Sequence, residues 1–164
     1  MKTMILSAAL TASALALGAG SAFAQSCPDW RYDAPEQIYG NAYDFYTPHS
    51  YHVVAGGGTA VDYCPVANQT PERATGYVAD RPDFEVYYDG NSAYDLEIRV
   101  VGNCDTTLLI NTANGNWFFD DDDLDPTYGD ARIYLTNPSE GWYDIWVGTY
   151  NNELCDAELT IETF

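Results

Sequence analysis

Short segments in which apolar and polar residues alternate recur through this chain, and they constrain its fold more than any other feature. In Tyr94 to Val101 the apolar residues Leu96, Ile98 and Val100 occupy every second position, with charged residues between them. This is the pattern of a half-buried strand, because successive side chains of a strand point to opposite faces of the sheet. The same alternation occurs at Phe84 to Tyr88, Ile133 to Leu135, Tyr143 to Val147 and Leu159 to Ile161.

Turn residues separate these short segments, a spacing that is typical of a β-sandwich or jelly roll. No segment of the chain after its first 24 residues shows a persuasive helical period. The sequence therefore predicts an all-β fold, an antiparallel β-sandwich of jelly-roll-like type, over residues 51–164. Residues 25–50 show no clean period and contain several prolines, so we expect them to form an irregular N-terminal arm.

The central part of the chain, Asn103 to Tyr150, predicts four strands joined by a tight turn, an acidic loop and a second turn. The tight turn is expected at Asn114-Gly115, because this dipeptide readily adopts the positive φ angles of a two-residue hairpin turn.

The first 24 residues have the pattern of a secretory signal peptide. Lys2 precedes an apolar run from Ile5 to Gly18, and Ala22-Phe23-Ala24 gives a small-x-small cleavage pattern before Gln25. The apolar run is too short for a convincing membrane span. We therefore expect residues 1–24 to be removed, the chain to have no membrane span, and the remainder to be periplasmic or secreted.

The charge of the chain excludes one class of partner. Lys2 is the only lysine, so removal of residues 1–24 changes the formal charge from −19 to −20. Such a charge repels nucleic acid, and no basic patch offsets it. We expect a protein or a polysaccharide as the partner, and its identity stays open.

Four cysteines follow the signal peptide: Cys27, Cys64, Cys104 and Cys155. An even number of cysteines in an exported chain indicates disulfides, and four cysteines allow three pairings. Cys104 and Cys155 each precede a short strand that begins with aspartate, so one bridge would join two strand starts. We predict the pairs Cys27–Cys64 and Cys104–Cys155. No Cys-x-x-Cys spacing indicates zinc.

An acidic loop is the strongest functional signal in the sequence. Asp120, Asp121, Asp122, Asp123 and Asp125 lie close together, and Ca²⁺ takes six to eight oxygen ligands from such groups. The spacing does not match an EF-hand. The first interpretation is a Ca²⁺ site at these five residues. The alternative is a solvated loop whose repulsion keeps a sheet edge from pairing.

The segment Trp142 to Tyr150 predicts a strand with Trp142, Trp146 and Tyr150 on one face. Exposed and coplanar, these rings would form a surface for carbohydrate or another envelope component. The alternative is that the rings are covered by the second sheet or by the N-terminal arm.

Catalytic patterns are sparse. The two histidines, His49 and His52, flank Ser50, but neighbours on an extended chain point to opposite faces. The absence of lysine after residue 24 excludes Schiff-base chemistry and phosphate loops. We predict a protein without enzymatic activity and with no catalytic residues. The alternative is a hydrolase in which one histidine meets a serine or carboxylate brought from elsewhere in the chain.

Two stretches resemble a known family. Cys104 to Trp117, followed by the acidic cluster, and Gly141 to Tyr150 resemble the bacterial pre-peptidase C-terminal (PPC-like) domain over residues 83–164. The resemblance implies a small β-sandwich, often found after secreted proteases, frequently associated with calcium and not itself catalytic. Thr112-Ala113-Asn114 stands where relatives tend to carry carboxylates, and the chain would be a stand-alone secreted relative. The expected role is binding or structural, with Ca²⁺ as a stabilising ion.

Overall fold

The computed structural model describes residues 26–66, 69–90, 93–125, 127 and 129–164. The signal peptide expected at residues 1–24 lies outside the described residues. The strands in chain order are β1 (Glu36–Asn41), β2 (His49–Ala55), β3 (Thr59–Ala60), β4 (Tyr77–Val78), β5 (Phe84–Asp89), β6 (Leu96–Gly102), β7 (Thr106–Asn111), β8 (Trp117–Asp120), β9 (Arg132–Leu135), β10 (Gly141–Thr149) and β11 (Cys155–Thr163).

The only helical element among the described residues is one 3₁₀ turn, Val61–Tyr63. No helix in that part of the chain is long and apolar enough to cross a bilayer. The all-β prediction is therefore confirmed.

Strand β10 lies at the centre of the larger sheet. It pairs with β5 through residues 141–145 and with β7 through residues 144–149, both antiparallel. β1 extends the sheet beyond β5 and β8 extends it beyond β7. The short strand β4, paired with β3, meets the end of β10 at Thr149. The alternating residues of β10 thus divide between two faces of a seven-stranded sheet.

The smaller sheet has the order β2, β11, β6, β9, and all its pairs are antiparallel. Arg99 on β6 joins two of these strands, because its guanidinium lies 2.6 Å from Glu97 and 2.7 Å from Glu162 of β11. This charged group occupies the polar positions of the β6 alternation.

The main core fills the space between the two sheets. The apolar positions of the alternation meet there, including Leu96, Ile98, Val100, Tyr143, Ile145, Val147, Leu159 and Ile161. Each such side chain stabilises the fold by about 1.5–3 kcal/mol when it is fully buried. The period of two in the sequence therefore marks the inner faces of the sandwich.

A second, smaller core lies on the other face of the larger sheet. The segment from Val61 to Val78 covers part of that face, where Leu109, Phe119 and Trp146 are buried beneath it. The remainder of this outer face is not covered. Aromatic rings on this face are therefore buried beneath the segment in one part and exposed in the other.

Two disulfides join the predicted partners. Cys27 pairs with Cys64, and Cys104 pairs with Cys155. The second bridge lies just before β7 and at the start of β11, as the two aspartate-led strand starts indicated. The predicted pairing is confirmed.

The N-terminal arm differs from the prediction in one respect. Residues 36–41 form β1, which pairs with β5 in parallel, and β2 already begins at His49. The arm is irregular only in part, because residues 36–41 and 49–50 are held in the two sheets by backbone hydrogen bonds rather than by an apolar alternation.

The hairpin between β7 and β8 is also wider than predicted. Thr112 N donates to Asn116 O, so three residues, Ala113, Asn114 and Gly115, form the loop. Gly115 has a positive φ of 73°, whereas Asn114 does not. This is the three-residue hairpin in which a type I turn is followed by a left-handed residue.

Candidate functional site

The open part of the larger sheet's outer face holds a cleft of about 540 Å³. Three indole rings line it: Trp30 from the N-terminal arm, Trp117 from β8 and Trp142 from β10. Asn111 and Asp144 form its floor. We call this feature the aromatic cleft; its volume falls within the roughly 300–1,000 Å³ typical of small-molecule sites.

Strand register places the floor residues side by side. Asp144 on β10 lies opposite Asn111 on β7 and, on its other side, opposite Glu85 on β5. Because β10 alternates, Asp144 points away from the main core that holds Tyr143 and Ile145. Polar residues of three neighbouring strands thus form one row across the sheet.

The side chains of the two floor residues are largely buried and line the cleft. Asp144 is 6% exposed and Asn111 is 5% exposed. Within the described part of the chain, no side-chain hydrogen bond or ion pair is made by either residue. Both residues line the open cleft, so a group that enters it can hydrogen bond to their side chains.

The surroundings of Asp144 disfavour its charged form. Burial raises the pKa of Asp144 to about 7, and the negative charge of Glu85 acts in the same direction. Burial also raises the pKa of Asp83, the residue before β5, to about 7, although Val147 N donates a hydrogen bond to its carboxylate. Both carboxyl groups therefore change charge near neutral pH.

The walls of the cleft are partly exposed and packed against a buried ring. Trp30 is 54% exposed and Trp142 is 39% exposed. Trp117 packs against the buried Trp146, with ring centroids 5.3 Å apart. The cleft can therefore offer ring faces to a ligand without losing the packing beneath them.

An aromatic row continues from the cleft across the sheet. Tyr39, Tyr87 and Trp142 come from three neighbouring strands, and Trp142 contacts both tyrosines edge to face at 5.3 and 5.2 Å. Alongside it, Gln37 donates to Glu85 at 2.7 Å. This row fixes Trp142 from the side opposite the cleft.

The predicted row of Trp142, Trp146 and Tyr150 does not form an exposed surface. The alternation places Trp146 on the same face as Trp142, but Trp146 is 0% exposed because the segment from Val61 to Val78 covers it. Tyr150 lies beyond the end of β10. The alternative of a coplanar exposed row is therefore wrong, the interpretation of a covered ring holds for Trp146, and only Trp142 belongs to the cleft.

Sequence reasoning missed Trp30, Trp117, Asn111 and Asp144 as members of one site. Trp117 and Asn111 flank the Asn114-Gly115 turn, so a hairpin register would have paired them. No local sequence pattern predicts that Trp30 lies beside Trp117 and Asn111.

The structure assigns a structural role to the first residue of the acidic loop. Asp120, at the end of β8, is buried, and its Oδ2 accepts hydrogen bonds from the backbone N–H groups of Asp123 and Arg132. Burial nevertheless raises the pKa of Asp120 to about 7, and the nearby charges of Asp123 and Glu72 add to this. Asp120 therefore holds the turn that follows β8.

Glu72, from the segment that covers the second core, converges on the acidic loop. Carboxylate oxygens of Glu72, Asp121 and Asp122 lie within 4.8 Å of one another, and those of Glu72, Asp120 and Asp123 do so as well. Burial and the nearby aspartates raise the pKa of Glu72.

Asp125 stands apart from both groups. Its Oδ1 accepts a hydrogen bond from Thr127 N, and its backbone pairs with that of Asp130. Four of the five predicted calcium ligands thus lie in two groups of three carboxylates that share Glu72. Carboxylates converge on many protein surfaces without an ion, so calcium at this loop stays a prediction.

The two histidines lie away from the cleft. His52 Nε2 is 3.4 Å from Asp156 Oδ1 in an exposed pair on the smaller sheet, and Ser50 Oγ lies 2.9 Å from Thr160 Oγ1. Among the described residues, no serine hydroxyl hydrogen bonds to His49 or His52. The histidine–carboxylate pair by itself does not supply the nucleophile that the hydrolase alternative requires.

Comparisons with known proteins do not indicate a function for this cleft. No family model matches the chain, and no curated protein matches it. Among solved structures, the chain is similar to PliG of Aeromonas hydrophila, a periplasmic inhibitor of g-type lysozyme. The match has 9% identity and a TM-score of 0.43 and covers 81% of this chain and 100% of the other. A likeness of this size carries no functional argument, and the resemblance to the pre-peptidase C-terminal domain stays a prediction.

Proposed function

We propose that this protein is an exported, non-catalytic β-sandwich module that binds a ligand in the aromatic cleft. One observation carries the proposal. Asp144 and Asn111 are both buried on the floor of the cleft, between three indole rings, and no described residue satisfies their side chains. A ligand that enters the cleft can take the place of water as the hydrogen-bond partner of both side chains while it packs against the indole rings.

Export is supported by the cysteines and by the sequence before them. All four cysteines are in disulfides, and disulfides persist in oxidising compartments outside the cytosol. The signal-peptide pattern at residues 1–24 agrees with this, and periplasmic or secreted localisation is part of the proposal.

A binding role rather than a catalytic one is supported by the chemistry of the cleft. Its walls include three indole rings, and its floor is one carboxyl group beside one amide. These groups stack on a ligand and hydrogen bond to it. Neither histidine lies there, and the rings themselves neither transfer protons nor attack a bond.

An NMR screen tests the proposal. The mature, oxidised protein, labelled so that its indole N–H groups are observed, is titrated with neutral oligosaccharides and with small neutral and charged organic compounds. We expect binding compounds to shift the indole signals of Trp142 and Trp117, and we expect Trp142→Ala to weaken their binding.

Tyr150→Ala is the matched control, because Tyr150 is exposed near the end of the same strand but outside the cleft. We expect this variant to bind as the wild type does. A screen in which no compound shifts the cleft signals, or in which Trp142→Ala binds every hit as tightly as the wild type, would contradict the proposal.

A further inference from the structure

The ligand class follows from a charge that the protein leaves without a partner. Asp144 lies in a row with Glu85, so two carboxyl groups face the same side of the larger sheet. Glu85 is at least hydrogen bonded by Gln37, whereas Asp144 has no such donor among the described residues. The floor of the cleft is thus acidic and lacks its counter-charge.

No arginine of the described chain supplies that counter-charge. Arg31 pairs with Asp29, Arg99 pairs with Glu97 and Glu162, Arg132 lies 4.0 Å from Glu97, Arg73 donates to Asp62 O, and Arg81 lines a separate cavity beside Asp80. With no lysine after residue 2, a cation at Asp144 has to come from outside the protein.

The indole rings in the walls of the cleft also favour a cationic ligand. A cation over the face of an aromatic ring is attracted by the ring quadrupole, and tryptophan gives the strongest such interaction. Three tryptophans stand around Asp144, from the arm, β8 and β10. The formal charge of the whole chain, −19, further raises the local concentration of cations and repels anions.

We infer that the aromatic cleft binds an organic cation of the alkylammonium class, whose positive group lies between the indole rings and pairs with the carboxylate of Asp144. The inference rests on the proposed function and names the ligand class of the same site. The amide of Asn111 is placed to hydrogen bond to a polar substituent of that cation. No covalent step is involved.

The charged groups around Asp144 set the pH dependence of binding. Glu85 faces it from β5, Asp83 lies just before that strand, Asn111 on β7 is neutral, and the arm brings Asp29 and Arg31, which pair with each other. A cation binds the ionised form of Asp144, so its affinity rises as pH rises through the pKa of that group. A neutral ligand has no such requirement.

The test compares choline with 3,3-dimethylbutan-1-ol, which has the same shape and no charge. Titration calorimetry on the mature, oxidised protein at about pH 8 should show choline bound about tenfold more tightly than the alcohol. At about pH 5, where Asp144 is protonated, the preference should become distinctly smaller, and only the contributions of the indole rings and of the net charge should remain.

Asp144→Asn keeps the shape of the side chain and removes its charge. In this variant we expect the smaller preference that the wild type shows at about pH 5 to hold at both pH values, while binding of the alcohol is unchanged. Glu158→Gln on the smaller sheet also removes one charge, far from the cleft, and should keep the preference. The pH series on the wild type gives the same answer without any substitution.

The outcomes separate this inference from the proposed function. Equal binding of choline and the alcohol at about pH 8 would overturn the inference that the ligand is a cation. Binding of neutral compounds in the NMR screen without any binding of choline would do the same. In both cases the cleft would remain a binding site. A choline preference that Glu158→Gln removes and Asp144→Asn keeps also overturns it. Absence of binding by every compound in both experiments overturns the proposed function itself.

Discussion

At the scale of single residues, three buried carboxyl groups link folding to pH. Burial raises the pKa of Asp83, Asp120 and Asp144 to about 7 each. In the unfolded chain an aspartate titrates near about 3.9. Between these values the folded chain binds more protons than the unfolded chain, so the free energy of unfolding falls as pH rises.

We therefore expect the melting temperature to be higher at about pH 5 than at about pH 8, with most of the loss between them. The measurement is a thermal melt followed by circular dichroism, at constant ionic strength. Asp144→Asn should reduce the loss, because an amide has no charge to desolvate, whereas the exposed Glu158→Gln should leave it as in the wild type. Equal stability at both pH values would show that these carboxyl groups do not titrate as their burial indicates.

Trp146 is buried, as one of the two interpretations of the β10 aromatic row expected. It stands at the centre of the second core and supports Trp117 in the wall of the cleft. Trp146→Ala should cost about 3–5 kcal/mol of unfolding free energy, because it leaves a large cavity. Urea denaturation measures this cost. Trp142→Ala, which removes a partly exposed ring, should cost distinctly less, and a similar cost for both variants would contradict the buried position of Trp146.

At the scale of elements, the acidic loop and the segment that covers the second core meet at Glu72. The loop was predicted from its aspartates alone, but the converging set also includes a glutamate from a segment almost fifty residues earlier. Asp125 was predicted with the others, and it instead shapes the loop through Thr127 and Asp130.

If the predicted calcium site forms here, millimolar Ca²⁺ should raise the melting temperature relative to excess EDTA, and equal Mg²⁺ should not. A ligand present at 100 times its Kd and bound only to the folded state adds about 2.7 kcal/mol. Glu72→Gln and Asp121→Asn should each abolish the shift, whereas Asp125→Asn should keep it. The same rise with Mg²⁺ would mean charge screening rather than a site, and no rise would leave the aspartates as a solvated loop.

The strands show which local signals were sufficient. In β6 and β10 every second residue faces the main core, so the sequence displays the inner face directly. β1 was missed because only Ile38 of its residues is buried, and its partner strand is far along the chain and parallel to it. Backbone pairing of this kind leaves no period in the sequence.

At the scale of the whole molecule, the fold could be predicted and the site could not. Alternation and cysteine number give the sandwich and its bridges, since both follow from residues read one segment at a time. The cleft requires Trp30 from the arm, Asn111 and Trp117 from one hairpin, and Asp144 from β10. Their meeting depends on the register of β7 against β10 and on the path of the arm, neither of which a single sequence states.

The position of β11 in the smaller sheet affects the rate and order of folding. β11 lies between β2 and β6, so that Ser50 and Thr160, 110 residues apart, are neighbours. Contacts so distant in sequence make folding slow, because the intervening chain must be closed before they form. Until β11 has been synthesised, the edges of β2 and β6 that pair with it have no hydrogen-bond partner strand. We therefore expect the smaller sheet to be completed only once β11 is present, and a chain interrupted before residues 155–163 to leave strand edges of β2 and β6 on which other chains can pair.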